Sequence, residues 1–226
     1  DEYYPAALGL FEYDGQRYGL PTSFGPAPVY YNKQIYEELG LNVPTTMEEF
    51  EANLEACKEA GYLPFTLANS AQWPGALTFI WLSLRYGGKD AFLNAYNREN
   101  GGTFEDESFI KAGKKIQEWV EKGYYPEGFN AMNDDTGASR MLFYSGQAAH
   151  FISTNGMAAN CTREAPEFYE NNLDMFVFPE IEGENGNVKE ILGGGNGWSI
   201  TSKCEHPDEA FAFIHYLSDK NYAQDN

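Results

Sequence analysis

The chain has 226 residues, 42% hydrophobic and 22% charged, enough for one large domain or two small ones with a proper core. Its net charge of −19 at pH 7, with no cluster of Lys and Arg, argues against a nucleic-acid partner, whose phosphates would be repelled. No run of about 18 apolar residues is present to span a membrane, and Asp1-Glu-Tyr-Tyr-Pro5 lacks the charge and apolar core of a signal peptide.

In chain order, Ala6 to Phe11 predicts a short helix or turn, and Asp14-Gly15 a hairpin turn between short apolar segments. An apolar, β-prone run ends in Tyr30-Tyr31-Asn32-Lys33 and passes into a helical pattern (Ile35, Tyr36, Leu39) closed by Gly40. Tyr30 and Tyr31 alternate faces on that strand, with at least one in the core. Thr45 or Thr46 can cap a helix on which Met47, Phe50, Leu54 and Cys57 recur at helical spacing. Leu63 to Ala68 reads as a buried strand, Asn69 to Gly75 as a polar loop, and Ala76 to Tyr86 as an apolar helix broken at Gly87-Gly88. A strongly amphipathic helix then places Phe109, Ala112, Ile116, Trp119 and Val120 on one face, with Gly123 as terminator. Asn130 to Gly137 reads as a mobile polar loop, Ser139 to Ser145 as a helix, and Ala148 to Ser153 as a buried strand. Met175 to Pro179 is a further strand, Gly193 to Gly195 enters another, and a helix follows His206-Pro207. Strands and helices alternate, so the class is α/β.

Few residues suit bond-making chemistry. Cys57, Cys161 and Cys204 are far apart, with no paired Cys/His spacing for zinc; one disulfide plus a free thiol stays open. Asp134-Asp135 is the one tight carboxylate pair, yet a glycosidase needs its two carboxylates about 5–9 Å apart across a cleft. The pair suits a solvated loop or a weak calcium contact better. His150 on a buried strand reads as a hydrogen-bonded core residue, and no nucleophile-elbow motif occurs. Gly193-Gly-Gly195 enters a strand, so it is not a dinucleotide fingerprint. No cofactor or metal site is expected.

The order of five segments resembles the extracellular solute-binding proteins of carbohydrate ABC transporters (family 1, the group that includes the maltose-binding protein). They are Tyr18-Gly-Leu-Pro-Thr22 with Tyr31-Asn-Lys33, Leu41 to Phe50, Thr103 to Tyr124, Phe143 to Ala149, and Ile191 to Thr201. The resemblance implies a fold like the type II periplasmic binding proteins, with one lobe nearly complete and part of the other. On it, residues 1–25 would be a partial first lobe and hinge, 26–174 the second lobe, and 175–226 the return hinge and more of the first lobe. Members are usually longer, so the chain resembles a fragment of one.

The function implied is capture of a mono- or oligosaccharide and its delivery to the permease subunits of an ABC importer, without catalysis. The location implied is extracellular, as a cell-surface lipoprotein or a periplasmic protein, with membrane contact only through a lipid anchor or the permease. A carbohydrate-active enzyme and a sugar-sensing receptor subunit are the alternatives. Sugar capture needs aromatic faces for the ring C–H patches and polar groups for the hydroxyls, and the 16 Tyr, 16 Phe and 4 Trp suit it. Trp73 is the main stacking candidate, otherwise a cap on the helix after Pro74, with Asn69 on the same loop. Ser23, Phe24 and Gly25 lie on the crossing that resembles the cleft floor, although Gly25-Pro26 also reads as turn chemistry. Asn155 aligns with a family turn, but Met157-Ala158 stands where an aromatic is common. Gly195 would let the backbone pass close to ligand or hinge, and Trp198 either stacks or packs.

Overall fold

The computed structural model describes residues 3–219. After α1 (Pro5–Gly9), strands β1 (Glu12–Tyr13) and β2 (Gln16–Arg17) form a hairpin. Asp14 (φ 51°) and Gly15 (φ 70°) both take left-handed backbone there, which an Asp-Gly pair tolerates. β3 (Leu20–Pro26) and β4 (Val29–Asn32) lead into α2 (Lys33–Leu39), capped by Asn32 at the Gln34 N–H and closed by Gly40 at φ 66°. Thr46 and Glu49 form a capping box that opens α3 (Met47–Glu59).

β5 (Leu63–Phe65) is followed by α4 (Trp73–Asn97), which breaks at Gly88 (φ 77°), and by α5 (Glu107–Glu121). Two 3₁₀ turns (Phe129–Ala131 and Asp134–Thr136) occupy the segment expected as a loop. Then come α6 (Ala138–Tyr144), β6 (Ala148–Ile152), α7 (Gly156–Glu164), α8 (Pro166–Asn171), β7 (Leu173–Phe176), β8 (Gly193–Trp198) and α9 (Pro207–Ser218).

The chain divides into two compact units, one from Ala27 to Leu192 and a smaller one made of the residues up to Pro26 and from Gly193 on. The smaller unit is built on the antiparallel β3–β8 ribbon, in which Pro26 pairs with Gly193 and Leu20 with Trp198. The larger unit holds a four-stranded mixed sheet in the order β5-β6-β4-β7. Both faces of that sheet are covered, so Tyr30 and Tyr31 are both buried, in separate clusters.

Phe50 on α3 centres the larger cluster, meeting Phe65, Trp119, His150, Phe176 and Phe178 edge-on with centroids 5.3–6.2 Å away. His150, fully buried on β6, bonds through Nδ1 to the Pro64 carbonyl (2.8 Å) and through Nε2 to the Tyr36 hydroxyl (2.7 Å). A carbonyl only accepts, so Nδ1 carries the proton and Nε2 accepts from Tyr36. Tyr36 in turn accepts from Asn53 Nδ2 at 3.5 Å. Burial lowers the His150 pKa to about 4, against a small upward pull from Pro64. The imidazole is thus a neutral bolt between β5, β6, α2 and α3, as its sequence setting suggests.

Arg85 on α4 is also fully buried. Its guanidinium donates to the main-chain carbonyls of Phe178 (2.8 and 3.1 Å), Pro179 (3.1 Å), Asn187 (3.0 Å) and Glu190 (3.0 Å). It lies over the Trp81 ring, 4.8 Å from the centroid, one helical turn earlier. Trp81 stacks on Phe178 and donates from Nε1 to the Ala27 carbonyl at 2.7 Å. Burial draws the Arg85 pKa down to about 10, partly opposed by Glu190 and Glu180, so the charge persists at neutral pH.

These contacts hold residues 175–192, read from sequence as the return hinge and more of the first lobe, within the larger unit. β7 pairs with β4 inside the larger unit, and the chain beyond it stays on α4 as far as Leu192, whose carbonyl accepts from the Ala27 N–H. Gly186 passes so close to α4 that a Cβ there would lie 2.2 Å from the Leu84 carbonyl oxygen. No local pattern in 175–192 announces an anchor that lies about 100 residues away in sequence on α4. α7 and α8 were not foreseen either: Asn155-Gly156 reads as a turn, but Met157, Cys161 and Phe168 bury against Tyr30, Phe143 and Phe151. All three cysteines are free thiols, and burial pushes Cys57 up to about 12 and Cys161 up to about 11.

Replacing Arg85 by Ala leaves buried carbonyls without donors and should cost about 3 kcal/mol or more. Urea unfolding at unchanged m-value reads this directly, and a loss below about 1 kcal/mol would contradict it. His150 gives the second expectation. As pH falls below 6.5, the unfolded chain gains a proton that the native imidazole refuses down to about pH 4. Its contribution is therefore complete above pH 6.5 and is lost through that window, about 3 kcal/mol in all. Urea midpoints between pH 7 and 5 should fall for the natural protein and fall less for His150→Phe.

Candidate functional site

Strand polarity sets the site of the larger unit. β5 and β6 run parallel while β4 runs against β6 and β7 against β4. The carboxyl ends of β5, β6 and β7 therefore share one edge with the start of β4, where the chain enters at Ala27. Ligands of α/β sheets bind beyond the carboxyl ends of strands. The loops leaving there, 66–72 after β5 and 153–155 after β6, carry Asn69 and Asn155 and lead to Trp73.

The 66–72 loop is held along its length. Asn69 and Ser70 donate backbone N–H bonds to Phe129 and Met132 carbonyls, at 2.8 and 3.0 Å. The Asn69 side chain accepts from the Gly75 N–H at 2.9 Å and donates to Asn130 Oδ1 at 2.8 Å. A Cβ at Gly75 would sit 2.6 Å from Asn69 Oδ1, so glycine is required for this closure. Asn69 is thus first the organiser of the loop. Gln72 takes φ +65°, rare for a residue with a Cβ, and its side chain makes no cap bond. That turn delivers Trp73 as the first residue of α4, ahead of Pro74, with the residue 43% exposed.

Asn155 precedes α7 with an exposed side chain that makes no cap bond. The neighbouring Met157 is buried beneath it, so this turn offers a polar group and no ring. Beside the first loop, a recess of about 490 Å³ opens between α4, α5 and residues 125–130. Buried Leu67, Thr78 and Tyr125 and exposed Gln72, Gln117 and Val120 line it. Val120, expected on the core face of α5, is 41% exposed here; Ile116 is partly buried, and both line the recess. α5 is fixed to α3 by Trp119 Nε1 and Lys115 Nζ, both donating to Glu51 (2.7 and 2.9 Å).

The smaller unit gathers the other candidates on one ribbon. Ser23 Oγ accepts from the Asn196 N–H at 3.2 Å, and Phe24 and Gly25 pair with Gly195 and Gly194. Phe24 is 43% exposed, and a Cβ at Gly195 would lie 2.1 Å from the Ser23 carbonyl oxygen. Close backbone pairing thus explains Gly195. Trp198, 53% exposed, pairs with Leu20 at the far end of the ribbon and borders a separate groove with Tyr18, Phe211 and Ile214. Gln72, Gln117 and Asn130 were not foreseen; the Gln-Trp-Pro step before an apolar helix is the one signal that marks the first. The Asp134 carboxylate accepts from Ser139 Oγ, and among the described residues no cluster of His, Cys, Asp and Glu is placed to hold a metal ion.

A family model described as "Bacterial extracellular solute-binding protein" matches residues 1–224. The multiple sugar-binding protein of Streptococcus mutans is 26% identical over 208 residues, 89% of this chain and 47% of that protein. The arabinooligosaccharide-binding protein of Halalkalibacterium halodurans is 25% identical over 96% of this chain and 46% of its own length. A solved structure from work on xylan utilization by the thermophilic bacterium Caldanaerobius polysaccharolyticus superposes with a TM-score of 0.88 at 28% identity, covering 96% of this chain and 55% of that one. A chitin oligosaccharide binding protein gives 0.78 at 28% identity, over 92% of this chain and 51% of its own. The chain spans about half the length of the relatives it matches.

The loop geometry separates two neighbours by role. Asn69→Ala should lower stability by about 1–2 kcal/mol, while Trp73→Ala should change it by less than about 0.5 kcal/mol. Denaturant midpoints check this, and equal losses at both positions would contradict the assignment.

Proposed function

The chain belongs to the bacterial extracellular solute-binding proteins, and we propose on that premise that it captures a mono- or oligosaccharide and delivers it to the permease subunits of an ABC importer. The observation that carries this reading is the Asn69–Trp73 loop: an aromatic ring left open by a strained turn, at the carboxyl-end edge of the sheet, with the unengaged Asn155 on the adjoining strand end. A pyranose offers C–H faces to such a ring and hydroxyls to such carboxamides. The relatives and structural neighbours, with proteins named for multiple sugars, arabino-oligosaccharide and chitin oligosaccharide among them, support the ligand class.

In this reading the larger unit is one lobe and the smaller unit part of the other. α9 has no buried residue, and Phe211 and Phe213 on it are exposed. We take those exposed rings to be covered by polypeptide of the kind the relatives carry outside the matched half. Capture would close the lobes around the sugar, and the closed form would dock on the permease. The protein would work outside the cell membrane, held there by a lipid anchor or by the permease; among the described residues no helix is long and apolar enough to cross a membrane. Binding needs neither catalysis nor a cofactor.

Isothermal titration of the complete protein against neutral sugars tests the reading. At least one sugar should bind with micromolar or tighter Kd, and Trp73→Ala should weaken it about tenfold or more, which is about 1.4 kcal/mol. The 226-residue chain alone should bind far more weakly. Wild-type affinity in Trp73→Ala would remove the loop from the site.

A further inference from the structure

We propose that the recess between α4, α5 and residues 125–130 takes an additional unit of a neutral oligosaccharide whose neighbouring unit lies against Trp73. This rests on the reading of the 66–73 loop as a sugar contact. Continuity is the first argument: Asn69 and Gln72 line the recess and belong to the loop that presents Trp73. A sugar chain bound at that ring therefore has open space beside it in which to continue. Size agrees, since about 490 Å³ lies within the range of small-molecule sites, about 300–1,000 Å³.

The lining is also mixed in the way a sugar ring requires. Leu67 and Tyr125 present apolar surface, and Val120 stays open on the one helix face that burial should have claimed. Among the described residues, neither the Gln72 nor the Gln117 carboxamide has a hydrogen-bond partner, so both can meet hydroxyls. The positive φ of Gln72 is a backbone cost held at the point where loop and recess meet.

Charge narrows the class. Among the described residues Glu121 is the one acidic residue lining the recess and no Lys or Arg lines it, while the whole chain carries −19. A phosphorylated or uronic sugar would meet a carboxylate with no cation to offset it. Neutral units are the fit.

The test measures Kd by isothermal titration on the complete protein. The probes are glucose, xylose and N-acetylglucosamine beside maltotriose, xylotriose and chitotriose, with glucuronic acid as the anionic arm. In the series that binds, the trisaccharide should bind about tenfold tighter than its monosaccharide. Gln117→Trp and Val120→Trp, two independent fillings of the recess at exposed positions, should each reduce that ratio to about twofold or less while the monosaccharide Kd stays within about twofold. Thermal midpoints near wild type confirm that each variant is folded. A length ratio unchanged in both variants, no length preference in the natural protein, or tighter binding of glucuronic acid than of glucose would each overturn the proposal and leave the Trp73 reading standing. Binding of none of the probes would overturn both.

Discussion

A buried guanidinium with no carboxylate at ion-pair distance among the described residues is the constraint on which the larger unit depends. Taking the charge of Arg85 out of water costs several kcal/mol, and only full hydrogen bonding offsets such a cost. Four main-chain carbonyls and the face of Trp81 supply that bonding. The carbonyls belong to the stretch 178–190, which is otherwise irregular, so the charge dictates where that stretch must lie. Trp81 does the same at the other crossing through the Ala27 carbonyl. Two residues one turn apart on α4 thereby fix both the entry and the exit of the chain. The same helix begins at Trp73, so anchoring and presentation share one rigid element.

Local signals made much of this fold legible from sequence. The Asp14-Gly15 turn, the Asn32 and Thr46 caps, the Gly40 stop and the break at Gly88 each depend on residues within a few positions. What escaped was decided at long range. The return crossing follows from Arg85, about 100 residues distant from its acceptors. α7 and α8 exist because Met157, Cys161 and Phe168 find a second cluster on the far face of the sheet. Amphipathic spacing placed Val120 correctly on a helix, but it says nothing of whether a neighbour covers it.

The candidate site divides in the same manner. Trp73 is read from sequence as a ring with no obvious core to fill, and it stands open. Asn69 reads from sequence as a candidate ligand contact, and its geometry makes it the clasp of the loop. Gly195 is glycine because the ribbon backbones approach closely. Nothing in the spacing of Gln117 along α5 marks it as lining the same recess as Gln72, since that is a product of packing.

The central claim is that sugar is met at the strand-end edge of the larger unit. Hydrogen–deuterium exchange of the complete protein, with and without a saturating sugar found by titration, tests it most directly. Residues 66–75 and 153–157 should exchange more slowly with sugar present, because their amides lie in or beside the proposed contact. Unchanged exchange in both segments, with protection elsewhere, would contradict the account.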